Sequence, residues 1–110
     1  MKELSSQKCK PCEGGEDPLS KSDTKKYLEI VSGWKSKDYI KIYKHYKFKD
    51  FMSAIAFINK VAKIAEEEGH HPDILIFGWN KVKIKLYTHA IGGLSMNDFI
   101  LASKIDEIKI

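Results

Sequence analysis

Arginine is missing: all 19 basic residues of this 110-residue chain are lysine. Guanidinium is the group that clamps phosphates and guanine edges bidentately, whereas lysine offers a point charge. A net charge of +4 therefore does not point to sequence-specific nucleic-acid recognition. Weak, salt-sensitive association with polyanions stays open, and a solvated lysine surface is the ordinary meaning of such a balance. Cysteine is scarce, as Cys9-Lys10-Pro11-Cys12 only. One such pair is half of a tetrahedral zinc site, with no further cysteine to complete it. The following Glu13-Gly14-Gly15-Glu16-Asp17-Pro18 reads as loop, not the helix start that a thioredoxin-like pair needs. No apolar run approaches the roughly 20 residues of a membrane span. The first eight residues lack the apolar segment of a secretory signal, so a cytoplasmic location is expected.

What is present suits one domain, since a chain this short buries a single core. Residues 1–18 show no periodicity and read as a flexible N-terminal arm, leaving 19–110 as the domain. A helix is expected from Ser20 or Ser22, with Tyr27, Leu28, Ile30 and Val31 as its apolar stripe. Gly33 ends it and Trp34 opens an extended segment. From Tyr39 the parity is that of a strand: Ile40, Ile42, Tyr46 and Phe48 share one face, interrupted by Lys44. His45 falls on the opposite, lysine-rich face and receives no catalytic role.

Asp50 to Glu68 carries the strongest helix signal. Phe51, Ala54, Ile55, Ile58, Ala62 and Ala65 form one stripe, widened by Phe57, Val61 and Ile64. Gly69 is placed to stop this helix, and Pro72 pushes His71 toward extended geometry. Strands are expected at Asp73–Phe77 and Lys81–His89, joined through Gly78-Trp79-Asn80. After the Gly92-Gly93 turn, Ser95 and Asp98 read as a capping box opening a last helix that turns Phe99, Ala102, Ile105 and Ile108 inward. The fold class is α+β: a four-stranded antiparallel sheet with helices packed on one face, in the order α-β-β-α-β-β-α.

Three of the four histidines cluster as Glu66-Glu67-Glu68-Gly69-His70-His71-Pro72 and Tyr87-Thr88-His89. Imidazole exchanges protons near neutral pH, and adjacent histidines pinned by proline have no evident packing purpose. Three imidazoles with an open position would also suit catalytic zinc. Adjacent histidines in an extended segment point to opposite sides, however, which disfavours shared ligation. Metal-free acid–base chemistry fits better, with no cofactor or metal required. Glu66 is either a solvated carboxylate or a partner that raises an imidazole pKa; Asp98 is either a helix cap or a support for the site.

The run from His45 to Ile105 resembles the pterin-4a-carbinolamine dehydratase family. The resemblance rests on His45-Tyr46-Lys47-Phe48-Lys49-Asp50-Phe51, His70-His71-Pro72, Asn80-Lys81-Val82, Thr88-His89, Gly93-Leu94-Ser95, Asp98 and Leu101-Ala102, with Gly33-Trp34 upstream. It implies dehydration of 4a-hydroxytetrahydrobiopterin to quinonoid dihydropterin and water, within tetrahydrobiopterin recycling. It also implies a homodimer or homotetramer. His70, His71 and His89 match the family's active-site histidines, Glu66 and Asp98 its supporting carboxylates, and His71, Pro72 and Thr88 substrate contacts. The segment from Asp73 to Trp79 is one residue longer than in animal members, which leaves the contacts of Trp79 open. The rival reading is a non-catalytic dimerisation cofactor of a transcription factor, and a metal hydrolase comes third.

Overall fold

The computed structural model describes residues 4–10 and 16–109. Local capping chemistry sets its longest element. The Asp50 carboxylate accepts from the Ser53 amide at 2.7 Å, opening α2 (Phe51–Glu68). Gly69, at φ 66°, closes it from the left-handed region that glycine adopts without penalty. Ahead of α2 come α1 (Lys21–Leu28), β1 (Lys35–Lys37) and β2 (Lys41–Lys47); after it come β3 (Asp73–Phe77), β4 (Lys81–Leu86) and α3 (Met96–Asp106). The expected order is found, with 3-10 turns at Leu4–Ser6 and His89–Ile91 in addition.

All strand pairs are antiparallel, in the spatial order β1-β2-β4-β3. The connection through α2 thus inserts β4 between β2 and β3. In β4, Val82, Ile84 and Leu86 point into the core and are fully buried, each side chain stabilising by roughly 1.5–3 kcal/mol. They share one core cluster with Ala54, Phe57 and Val61 of α2 and Phe99, Leu101, Ala102 and Ile105 of α3.

Several boundaries differ from the sequence reading. α1 ends at Leu28, because Tyr27 accepts from both Ile30 N and Val31 N as the chain turns; Val31 is buried and Ile30 is exposed. Ile40 lies in the hairpin turn before β2, where Asp38 and Tyr39 both take positive φ, and is exposed. On α2 the buried line is centred on Phe57 and Val61, while Phe51 and Ala62 are exposed. A broad apolar stripe has no centre until the sheet meets it. β4 stops at Leu86, and Thr88 pairs beyond it with Gly93. Gly93 is needed for closeness, since a Cβ there would lie 2.8 Å from Pro18 Cβ. Trp79, at φ 56°, is 61% exposed at the tip of the β3–β4 turn.

Residues 4–10, part of the expected loose arm, lie against α2 and α3. Leu4 is buried, Lys104 Nζ donates to Ser5 O at 2.8 Å, and Cys9 N donates to Glu68 Oε1 at 2.8 Å. Cys12 lies outside the described residues. Burial, reinforced by the Glu68 charge, pushes the Cys9 thiol from the usual 9.0 up to about 12. In a Cys12→Ser background we expect Cys9 to alkylate more than about tenfold slower at pH 8 than an unstructured thiol, since only the thiolate reacts. Equal rates in an iodoacetamide time course would contradict this placement. The sign for stability follows: an unfolded thiol ionises from pH 9.0 and the folded one near 12. This group's contribution is intact below pH 9 and is lost as pH rises across that interval.

Candidate active site

Three elements converge where α2 ends and β4 runs out. Gly69 stops α2 and sends His70 and His71 into the link before β3, with Pro72 barring further helix. The 3-10 turn after β4 begins at His89, and the N-terminus of α3 supplies Asp98. The sequence-expected residues His70, His71, Pro72, Thr88 and His89 line one cleft of about 380 Å³, together with Lys10, Asp73, Tyr87 and Asn97. That volume is within the range of roughly 300–1,000 Å³ usual for small-molecule sites.

His70 is the most constrained imidazole. Its Nε2 lies 2.6 Å from Asp98 Oδ1, and Asp98 is fully buried. Asp98 Oδ2 accepts from Thr88 Oγ1 at 2.9 Å and from Ser95 N at 2.9 Å. The second bond is half of the capping box, so a carboxylate that starts a helix also orients the imidazole. Thr88 Oγ1 lies 2.8 Å from Ser95 Oγ as well, which turns its hydroxyl toward this network. A carboxylate on Nε2 selects the Nε2–H tautomer and leaves the lone pair on Nδ1.

His71 turns the other way. Its Nε2 lies 2.5 Å from Glu66 Oε1, and both side chains are largely exposed. Of the carboxylates in the acidic triplet, Glu66 thus serves an imidazole, whereas Glu68 turns inward to Cys9 N and lies 3.8 Å from Lys104 Nζ. His89 is exposed and rests on the Tyr87 ring at a centroid distance of 4.1 Å. Among the described residues, no group of three or more His, Cys, Asp or Glu side chains is placed to hold a metal ion. His45 stands apart, on the outer sheet face between Tyr43 and Phe77.

The sequence reading passed over Lys10, Tyr87 and Asn97. Tyr87 was legible as the neighbour of Thr88-His89, but nothing local marks Lys10 or Asn97. They meet across 87 residues of chain.

Fold and site together define an α+β protein with three imidazoles gathered in one cleft at one end of an antiparallel sheet. The model of the family described as Pterin 4 alpha carbinolamine dehydratase matches residues 17–108, and the chain belongs to that family. It is 42% identical over 114 residues to the Arabidopsis thaliana protein named pterin-4-alpha-carbinolamine dehydratase 2, mitochondrial, covering 100% of this chain and 61% of that one. It is 49% identical over 104 residues to a putative pterin-4-alpha-carbinolamine dehydratase of Rickettsia bellii, covering 94% of this chain and 91% of the relative. A crystal structure titled transcriptional coactivator/pterin dehydratase, from Brucella melitensis, superposes with a TM-score of 0.76 at 32% identity, covering 82% of this chain and 96% of that one.

Proposed function

We propose that this protein dehydrates 4a-hydroxytetrahydrobiopterin by histidine general acid–base catalysis. The observation that carries the reading is the cleft shared by His70, His71 and His89, with His70 held by the buried Asp98. A proton enters on the 4a-hydroxyl, the C4a–O bond breaks and water leaves. N5 loses its proton and the C4a=N5 bond forms, giving quinonoid dihydropterin. No electrons enter or leave, so acid and base suffice, and such catalysis contributes about 10²–10⁴-fold.

His70 Nδ1 and the exposed His89 exchange protons with substrate in this reading. His71, steadied by Glu66, binds and orients the pterin and donates toward the leaving hydroxyl. Asp98 holds the His70 tautomer, and Thr88 supports Asp98, although the sequence reading has Thr88 touching substrate. Pro72 favours extended backbone at His71, and the two adjacent imidazoles turn to different carboxylates.

The test is a dehydratase assay on carbinolamine generated in situ. His71→Ala and His89→Ala are each expected to lower kcat/KM by at least about tenfold, with thermal unfolding unchanged, since both side chains are exposed. Unchanged rates in both variants would remove them from the site. The proposed setting is tetrahydrobiopterin recycling in the cytoplasm, by a homodimer or homotetramer. The exposed Phe51 and Met52 of α2 and Leu75 and Phe77 of β3 support self-association. No helix of the described residues is long and apolar enough to cross a membrane. The dimerisation-cofactor reading is not favoured, because the relatives are named as dehydratases.

A further inference from the structure

Lys10 precedes the residues that the family model matches, 17–108, yet it lines the cleft with His70, His71 and His89. Its backbone is clasped from both sides. Lys10 N donates to Asn97 Oδ1 at 2.9 Å, and Asn97 Nδ2 donates back to Lys10 O at 2.6 Å. One side-chain amide thus satisfies both peptide groups of residue 10, as a neighbouring strand would. Asn97 is buried in the first turn of α3, and the next residue, Asp98, holds His70. The same helical turn therefore registers Lys10 against the imidazole.

Among the described residues, Lys10 is the only lysine lining this cleft, and it makes no ion pair. The carboxylates around the cleft are already engaged: Glu66 with His71, Asp98 with His70, and Asp73 at 3.7 Å from Lys85 Nζ. An ammonium meeting an anion gains about twice what it gains from a neutral acceptor. If C4a must lie among the imidazoles, the ring edge is committed, and the substituent at C6 is the part of a pterin free to vary.

We propose that Lys10 is a substrate-binding residue that extends this site beyond the neutral dihydroxypropyl side chain of tetrahydrobiopterin, holding more tightly those pterins whose C6 substituent carries an anion, a carboxylate or a phosphate. The inference rests on the dehydratase reading and assigns a substrate class to the same site. Lys10 also borders a neighbouring hollow lined by Glu16 and Asp17.

The experiment titrates the full chain with two fluorescent pterins, 6-carboxypterin and 6-hydroxymethylpterin. Wild type should bind the carboxylate more tightly. Lys10→Ala should weaken 6-carboxypterin about three- to tenfold and 6-hydroxymethylpterin less than about twofold, as expected for a partly exposed charge pair. Lys10→Glu should invert the preference and Lys10→Arg should keep it. Raising salt from about 0.05 to 0.5 M should erode the wild-type preference. An affinity ratio unmoved by Lys10→Ala and Lys10→Glu, with both pterins still bound, overturns the inference and leaves the dehydratase reading standing. Failure of wild type to bind either pterin sinks both.

Discussion

Replacing Asp98 by Asn will lower dehydratase turnover about 10²-fold, near the lower end of what acid–base catalysis contributes. The reason is the tautomer of His70. Asp98 Oδ2 accepts from Thr88 Oγ1 and Ser95 N, and Oδ1 faces His70 Nε2. An asparagine must keep its carbonyl toward the Ser95 amide, because the reverse orientation sets two N–H donors against each other. Its NH2 then meets His70 Nε2, which becomes the acceptor, and the proton moves to Nδ1. Nδ1, the nitrogen proposed to take the substrate proton, then no longer has a free lone pair. Loss of charge-assisted bonds also costs about 1–3 kcal/mol of stability, so thermal melts must accompany the kinetics. A kcat within about twofold of wild type, in a folded Asp98→Asn protein, would show that the pair does not act in the reaction.

The largest effect on stability is expected from Asp106→Ala. This one carboxylate accepts from Ser32 N at 2.9 Å, Trp34 Nε1 at 2.9 Å and Lys44 Nζ at 3.1 Å. It ties the link after α1, the entry to β1, and β2 to the end of α3. Trp34 is buried, and the Lys44 and Asp106 side chains are mostly buried. Removing the acceptor strands the Trp34 indole N–H and leaves the Lys44 ammonium only the Tyr46 ring at 5.1 Å, while Ser32 N is open to water; the cost is about 1–3 kcal/mol for each group that water cannot reach. A loss of roughly 3 kcal/mol is expected, lowering Tm by about 13 °C. Adding Lys44→Met should restore part of this by removing the stranded charge, giving a non-additive double-mutant cycle. Additive behaviour, or a loss below about 1 kcal/mol, would show that the network is not an anchor.

Lys44 also shows where sequence reading runs out. In the parity of β2 it is an interruption of an apolar face, and its partner is 62 residues away. The acidic triplet 66–68 poses the same difficulty. Spacing cannot say that Glu66 faces outward to His71 while Glu68 turns inward to Cys9 and Lys104. Nor can periodicity supply the strand order β1-β2-β4-β3, because alternation specifies a strand's faces and not its neighbours. Residues 4–10 have no periodicity, yet long-range hydrogen bonds and the burial of Leu4 hold them.

The sequence by itself determined the order of the elements and named five residues that the structure brings into one cleft. Asp50 and Gly69 bound α2, Ser95 and Asp98 cap α3, and His70-His71-Pro72 with Thr88-His89 names the cleft. These signals are local: a cap, a left-handed glycine or a proline acts on backbone within a turn of itself. Only the tertiary structure decided which nitrogen of His70 and of His71 is held, which carboxylate holds it, and that Lys10 and Asn97 belong beside them. Those pairings join residues 28 to 87 positions apart in the His70–Asp98 and Lys10–Asn97 contacts. They exist only once the sheet and helices bring distant backbone to hydrogen-bonding distance.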